Sequence, residues 1–156
     1  MIIKKAENED INEVYRLIQN TIKSEYKNVY TKNEVRFFSE LHSISAITED
    51  IAKGRVYILL NDDKIMATAT LEKNHVLRVF VSNSCIGQGY GSIIMDFIEK
   101  EIVKSYPESI LDTSLVAKEF YLHRGYVCIG RDSVQIENDE ILEYEIMKKY
   151  LTEGKI

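Results

Sequence analysis

Between Val56 and Val81 the apolar residues gather in three short runs, Val56–Leu60, Ile65–Leu71 and His75–Val81, divided by Asn61-Asp62-Asp63-Lys64 and by Glu72-Lys73-Asn74. Short runs rich in Val, Ile and aromatic side chains and bounded by polar turn formers predict strands, and their immediate succession predicts an antiparallel meander. Elsewhere the period changes. Ile11, Val14, Tyr15, Ile18 and Ile22 recur at helical spacing and form one apolar stripe, the mark of an amphipathic helix lying on a core. Ile2–Lys5 reads as a strand ahead of it, and Asn8 as its cap, with Glu9 and Asp10 complementing the dipole in the first turn.

From Ser24 to Lys53 the pattern is less regular. Val35, Phe38, Leu41 and His42 keep helical spacing, and Ile44, Ile47 and Ile51 suggest a second short helix stopped by Gly54, so the segment predicts one to two helices. His42 on such a face reads as a packed or solvated histidine rather than a base. Further on, Ile93, Ile94, Phe97, Ile98 and Ile102 fill one side of a helix that ends before Pro107, the only proline. Ile110–Asp112 predicts a strand and Leu115–Arg124 a short helix closed by Gly125. Tyr126–Gly130 and Ile141–Lys148 predict a last antiparallel pair, joined by an acidic loop at Glu137–Glu140. The element order is β-α-α-β-β-β-α-β-α-β-β in a single domain over residues 1–156, without repeats or low-complexity tracts.

Composition narrows the function. A chain of 156 residues, 45% hydrophobic and 29% charged, is one ordinary globular domain. No apolar run reaches the length of a membrane span, and Met-Ile-Ile-Lys-Lys is too short for a signal peptide, so a cytoplasmic protein with no membrane partner is expected. Twenty Lys and Arg against 25 Asp and Glu, without a basic block, argue against nucleic acid and favour a cationic or amine-bearing substrate. Cys85 and Cys128 are isolated, so neither a metal site nor a redox motif is expected. Cys128, between Val127 and Ile129, reads as a small buried hydrophobe. Cys85 is notable only for its place beside a glycine turn.

That turn holds three of the seven glycines at alternate positions, Gly87, Gly89 and Gly91, between the third strand of the meander and the following helix. Glycine serves where φ is positive or where a ligand approaches closer than a β-carbon allows. Amides at a helix start have no intrahelical acceptor, so the turn is suited to a phosphate or pyrophosphate. A plain turn that binds nothing is the alternative. A Walker loop is disfavoured, because Tyr90-Gly91-Ser92 lacks its lysine. A dinucleotide fingerprint G-x-G-x-x-G fits Gly87 and Gly89 but meets Ser92 at its third position, with Asp112 about twenty residues on. A meander feeding the turn is poor company for that reading, which needs a repeated βαβ unit.

A third phosphate loop, the acyl-CoA loop of the GNAT N-acetyltransferases, resembles more of this sequence. Val79-Phe80-Val81 followed by Ile86-Gly87-Gln88-Gly89-Tyr90-Gly91 resembles the family's strand and its pattern Q/R-x-x-G-x-G/A. The stretch from Asp112 to Tyr126 resembles its second signature, N-x-x-A-x-x-x-Y-x-x-x-G-F/Y, with Ala117, Tyr121 and Gly125 in place. The element order agrees over essentially the whole chain, and residue detail agrees from Leu71 to Gly130. Ile86, Asn83 and Ser114 depart from the family's usual Gln or Arg, Pro and Asn.

The resemblance implies an α/β GNAT fold, a mixed and mostly antiparallel sheet of about seven strands with helices on both faces. It implies acetyl-CoA as cosubstrate, with no metal. Val79, Phe80 and Val81 would lie along it, and Gly87, Gln88, Gly89, Tyr90, Gly91 and Ser92 would hold its pyrophosphate, with Ser114, Lys118 and Tyr121 also at the cofactor. The pantetheine arm would enter a gap opening toward Ile110–Asp112. An amine of a small molecule, peptide or protein would attack the thioester directly in a ternary complex, a backbone N–H near Val81 stabilising the oxyanion. Tyr121 matches the family's general acid. For a base, His75 or Glu72 would point into the substrate end of the groove, although residues flanking a turn more often serve its solvation; His75 is the better candidate because His75-Val76-Leu77-Arg78 resembles a stretch of many small GNAT proteins. GNAT proteins are often dimers, so a homodimer is compatible. Acceptor choice would rest on Ser24–Gly54 and the loop near Glu137. Ile86 keeps open a non-catalytic acyl-CoA-binding or regulatory module of the same fold.

Overall fold

The computed structural model describes residues 1–152. Its strands are β1 (Ile2–Lys5), β2 (Val56–Asn61), β3 (Lys64–Glu72), β4 (His75–Val81), β5 (Glu108–Thr113), β6 (Val127–Gln135) and β7 (Ile141–Tyr150). Its helices are α1 (Ile11–Glu25), α2 (Lys32–Leu41), α3 (Ile44–Ala52), α4 (Tyr90–Val103) and α5 (Lys118–His123). The strands make one seven-stranded sheet in the order β1-β2-β3-β4-β5-β7-β6. Only β4 and β5 run parallel; the other neighbours are antiparallel.

Alternation along the strands gives the sheet two buried faces. In β2, Ile58 packs with Ile18 and Ile22 of α1 and Ile47 and Ile51 of α3, whereas the next residue, Leu59, packs on the other face with Ile94, Met95, Ile98 and Ile102 of α4. Successive strand side chains point to opposite faces, so each core is filled by every second residue. The segment after α1 forms two helices because each has its own cap. Thr31 accepts from the Glu34 amide at 3.2 Å, and Ser43 accepts from the Ala46 amide at 3.1 Å.

Three expectations are corrected. Asn8 does not cap α1: it begins a 3-10 turn, Asn8–Asp10, and the Asp10 carboxylate accepts from the Glu7 amide at 2.8 Å. The strand β6 runs on to Gln135 instead of ending at Gly130. Cys128 is exposed, because β6 is an edge strand and few of its side chains are covered.

The feature that opens the sheet is a bulge in β4. Thr70 faces Leu77 and Thr68 faces Phe80, so Arg78 and Val79 together oppose Ala69, and Arg78 takes a φ of +45°. Pairing between β4 and β5 is confined to His75–Ile110 and Val76–Leu111, after which the strands diverge. Arg78 is held in its left-handed conformation from the helical layer. Its Nη1 pairs with Asp50 of α3, and its Nε donates to His42 Nδ1 at 3.1 Å. Asp50 also lies 3.3 Å from Arg55, which reaches Glu72 at 3.1 Å.

The Asp50 and Arg78 side chains are only 12% and 13% exposed. Removing one member leaves the other charged and desolvated, which costs about 3 kcal/mol or more. Asp50→Ala is therefore expected to lower the melting temperature by about 10 °C in a chain of this size. Differential scanning calorimetry checks it, and an unshifted transition would show the pair to be dispensable.

Candidate active site

The glycine turn is an open cradle. Gly87 and Gly89 have φ of +85° and +87°, and a β-carbon at either would meet nothing within 4 Å. Gly91 is needed for a different reason: its β-carbon would come 3.3 Å from Phe120 Cζ and 3.5 Å from Val81 Cγ2, so the bare backbone lets α4 seat against α5 and β4. The Cys85 amide donates to Ser82, Gln88 to Cys85, and Ile93 to Gly89. Among the described residues the amides of Gly87, Gly89, Tyr90, Gly91 and Ser92 have no acceptor. They sit at the positive end of the 14-residue helix α4, the surroundings in which a polyanion replaces lost water contacts.

A groove of about 410 Å³ runs from this cradle along Val79, Phe80 and Val81 and is closed by Val116, Ala117, Phe120 and Tyr121. On the α1 side it is bounded by Thr21, Glu25 and Tyr26. Thr21 Oγ1 donates to the Val81 carbonyl at 2.9 Å and fixes the end of β4. Among the described residues no Lys or Arg lines the groove. Any anion there is held by main-chain dipoles, and Ile86, 47% exposed at its edge, adds no charge.

A second cavity, of about 490 Å³, meets the first where β4 and β5 diverge; Tyr26, Val79, Phe80, Ala117 and Tyr121 line both. Its walls are Phe37, Phe38 and Leu41 of α2, Val134 of β6, and Leu142 and Tyr144 of β7, with Asp112, Thr113 and Ser114 at the fork. No motif marks this cavity in the sequence. Its apolar walls look like ordinary core positions, and only the divergence of β4 from β5 makes them a lining.

Tyr121 stands at the junction. Its ring packs edge-on against Phe120 and Tyr126, with centroids 5.1 and 5.5 Å away. Tyr126 is fixed in turn by Ser109 at 2.8 Å and Glu99 at 3.1 Å. The Tyr121 hydroxyl has no hydrogen-bond partner among the described residues, yet it is not sealed away. Burial, reinforced by Tyr126, pushes its pKa far above the ordinary phenol value, so it remains an O–H donor at every physiological pH.

Of the other residues singled out from sequence, Val79, Phe80, Val81, Gly87, Gly89, Tyr90, Gly91 and Ser92 line the groove. Ser114 lines the second cavity, where its hydroxyl accepts from Tyr26 at 3.5 Å. Gln88 is exposed and lines neither. Lys118 is tied to Glu145 of β7 at 2.6 Å and also lies off the groove. Glu72 and His75, expected to point into its substrate end, line neither cavity. Glu72 pairs with Arg55, and His75 sits where β4 is still paired with β5, short of the fork. His42 does line the second cavity, but burial and the adjacent Arg78 depress its pKa to about 3. It is a neutral ring whose Nδ1 is already engaged.

Among the described residues no group of His, Cys, Asp and Glu could hold a metal, and no helix is long and apolar enough to cross a membrane. A search of curated proteins gives no significant match. Solved structures of the same fold are numerous. A GCN5-related N-acetyltransferase from Rhodopseudomonas palustris superposes with a TM-score of 0.86 at 22% identity, covering 96% of this chain and 95% of that one. The PaiA N-acetyltransferase of Thermoplasma acidophilum, solved in complex with coenzyme A, gives 0.74 at 16% identity, with 96% and 98% covered. An N-acetyltransferase from Staphylococcus aureus gives 0.71 at 21%, with 96% of each chain covered. At these identities the likeness establishes the fold. The family model for the acetyltransferase (GNAT) domain matches residues 26–149. Since that match spans most of the chain and takes in both the glycine cradle and Tyr121, the protein belongs to the GNAT acetyltransferase family.

Proposed function

We propose that this protein is an acetyl-CoA-dependent N-acetyltransferase that joins its two substrates in one ternary complex. The observation that carries the reading is the meeting of two cavities at Tyr121, one headed by unpaired helix-start amides and the other open to a second substrate. The cradle fits the cosubstrate: its amides lack acceptors, and Gly87 and Gly89 leave their side-chain space empty. The amides from Gly87 to Ser92 would hold the pyrophosphate, and the free edge of β4 beyond Val76 would pair with the amide groups of the pantetheine arm. Acetyl-CoA supplies the acetyl group as an activated thioester.

The chain's own part is placement and charge. The bulge at Arg78 turns β4 away from β5, leaving main-chain donors between Val79 and Val81 available to the thioester oxygen as negative charge develops there. An alkylamine with a pKa of about 10.4 must shed a proton at a cost of about 4–5 kcal/mol at pH 7. Once that proton has left, the apolar walls of the second cavity favour the uncharged amine that attacks. With Glu72 and His75 outside the cavity and His42 engaged, that proton leaves through water at the cavity mouth. Tyr121 donates its O–H to the departing sulfur. Outright transfer from so weak an acid to a thiolate with a pKa near 8.5 is uphill, so its contribution is a hydrogen bond rather than a completed proton transfer.

A thermal-shift comparison tests the reading. Acetyl-CoA at about a hundred times its Kd stabilises by about 2.7 kcal/mol, which raises the melting temperature by about 5–10 °C in a domain of this size; NAD should leave it unchanged. A shift with NAD alone would overturn the assignment. Release of CoA thiol with an amine separates a transferase from a module that only binds acyl-CoA.

A further inference from the structure

We infer that the acceptor is a small primary monoamine with an apolar, aromatic or branched, body, and that Asp112 is the residue that recognises its ammonium group. This rests on the transferase reading and narrows its substrate. Among the described residues the second cavity carries two charged side chains, Arg78 and Asp112. Arg78 is already paired with Asp50 in α3, and its Nε donates to the neutral ring of His42. Asp112 has no ion-pair or hydrogen-bond partner among the described residues, although it stands on the cavity wall. It is the first residue of β5 beyond the last pair with β4, and so sits at the fork through which the two cavities join. An unpartnered carboxylate on the wall of this cavity is complementary to a cationic amine.

The rest of the lining selects what carries that amine. Phe37, Phe38, Leu41, Val134 and Leu142 offer apolar surface; the neighbouring carboxylate of Asp132 in β6 is engaged by Tyr144 and lies outside the lining. A polyamine would bury its other charges against those walls unpaired, which costs several kcal/mol. An α-amino acid would bring its carboxylate close to Asp112 and meet an Arg78 whose charge Asp50 has taken. A volume of about 490 Å³ lies in the range of small-ligand pockets.

The experiment compares 2-phenylethylamine, ethylamine, spermidine and phenylalanine as acceptors. Phenylethylamine should be acetylated with the highest kcat/KM, and calorimetry should show it binding the protein loaded with CoA. Asp112→Asn, exposed and free of internal bonds in the parent, should fold normally and weaken phenylethylamine binding about tenfold while acetyl-CoA binding is kept. Phe37→Ser should reduce the preference for phenylethylamine over ethylamine. Preference for spermidine or phenylalanine, an unaltered affinity in Asp112→Asn, or no use of any of these amines by a protein that binds CoA would overturn the acceptor assignment and leave the transferase fold's CoA site standing. Failure to bind CoA at all would remove both readings.

Discussion

Gly89→Val should abolish useful acetyl-CoA binding while leaving a folded protein. Gly89 precedes the first helical residue of α4 with φ of +87°, and its β-carbon would point into open space. The fold therefore bears only the backbone cost, about 1–2 kcal/mol for a residue with a side chain in the left-handed region. A drop in melting temperature of about 5 °C is the expected sign of that cost. The ligand bears much more, because the open space is where the pyrophosphate must approach the amides. A branched side chain there blocks at least two main-chain contacts to a charged group, each worth about 1.5–3 kcal/mol. Affinity should fall a hundredfold or more. Among the described residues no Lys or Arg lines the groove to compensate, which makes this protein more dependent on its cradle than one with a basic side chain at position 86 would be. Isothermal titration with acetyl-CoA, alongside a circular dichroism melt, measures both terms. Parental affinity in the variant would remove the cradle from the binding account.

The dependence on main chain explains why this part of the site was legible in the sequence. Alternate glycines between an apolar run and a helical stripe specify a backbone conformation, and the fold supplies only its surroundings. The element order was legible for a similar reason, because the change from a period of two to a helical period is local. What was missed depends on distant partners. The apolar flanks of Cys128 suggest burial, but whether β6 is covered depends on its place at the sheet edge, which Val127-Cys128-Ile129 does not encode. Asn8 is a good capping residue that lost to Glu7 and Asp10, which satisfy each other across the same turn.

The second cavity draws residues from α2, β4, β5, β6 and β7, and most of them, read alone, are core positions. The bulge at Arg78 carries no local signal at all. Its left-handed residue is tied to Asp50 and His42 in the helical layer, and the pairing of β4 with β5 ends just before it, at Val76. That early divergence leaves His75 and Glu72 outside the cavities and brings Asp112 to the fork. The contacts that set this lining thus come from α3 and the sheet together, far apart in sequence.

Tyr121→Phe tests the other half of the site, and here the loss should appear in turnover alone. The hydroxyl has no partner within the described protein, so its removal breaks no internal hydrogen bond, and the ring keeps its packing against Phe120 and Tyr126. Stability should stay within about 0.5 kcal/mol of the parent, and acetyl-CoA affinity should change little, since the cradle lies at the far end of the groove. The departing sulfur, in contrast, loses the donor placed at the junction of the two cavities. A preorganised hydrogen-bond donor aimed at developing charge contributes about a hundredfold or more, so kcat should fall by about that factor with KM for acetyl-CoA nearly unchanged. Burial holds the Tyr121 pKa far above the ordinary phenol value. Its ionisation therefore cannot produce a decline in activity between pH 8 and pH 10, and the parent and Phe variant should show rate profiles of the same shape over that interval, displaced in height. A Phe variant with the parental kcat would deny Tyr121 any part in the departure of the thiol. A decline near pH 10 present in the parent and absent in the variant would mean that the phenol titrates as an exposed one does, contrary to its burial.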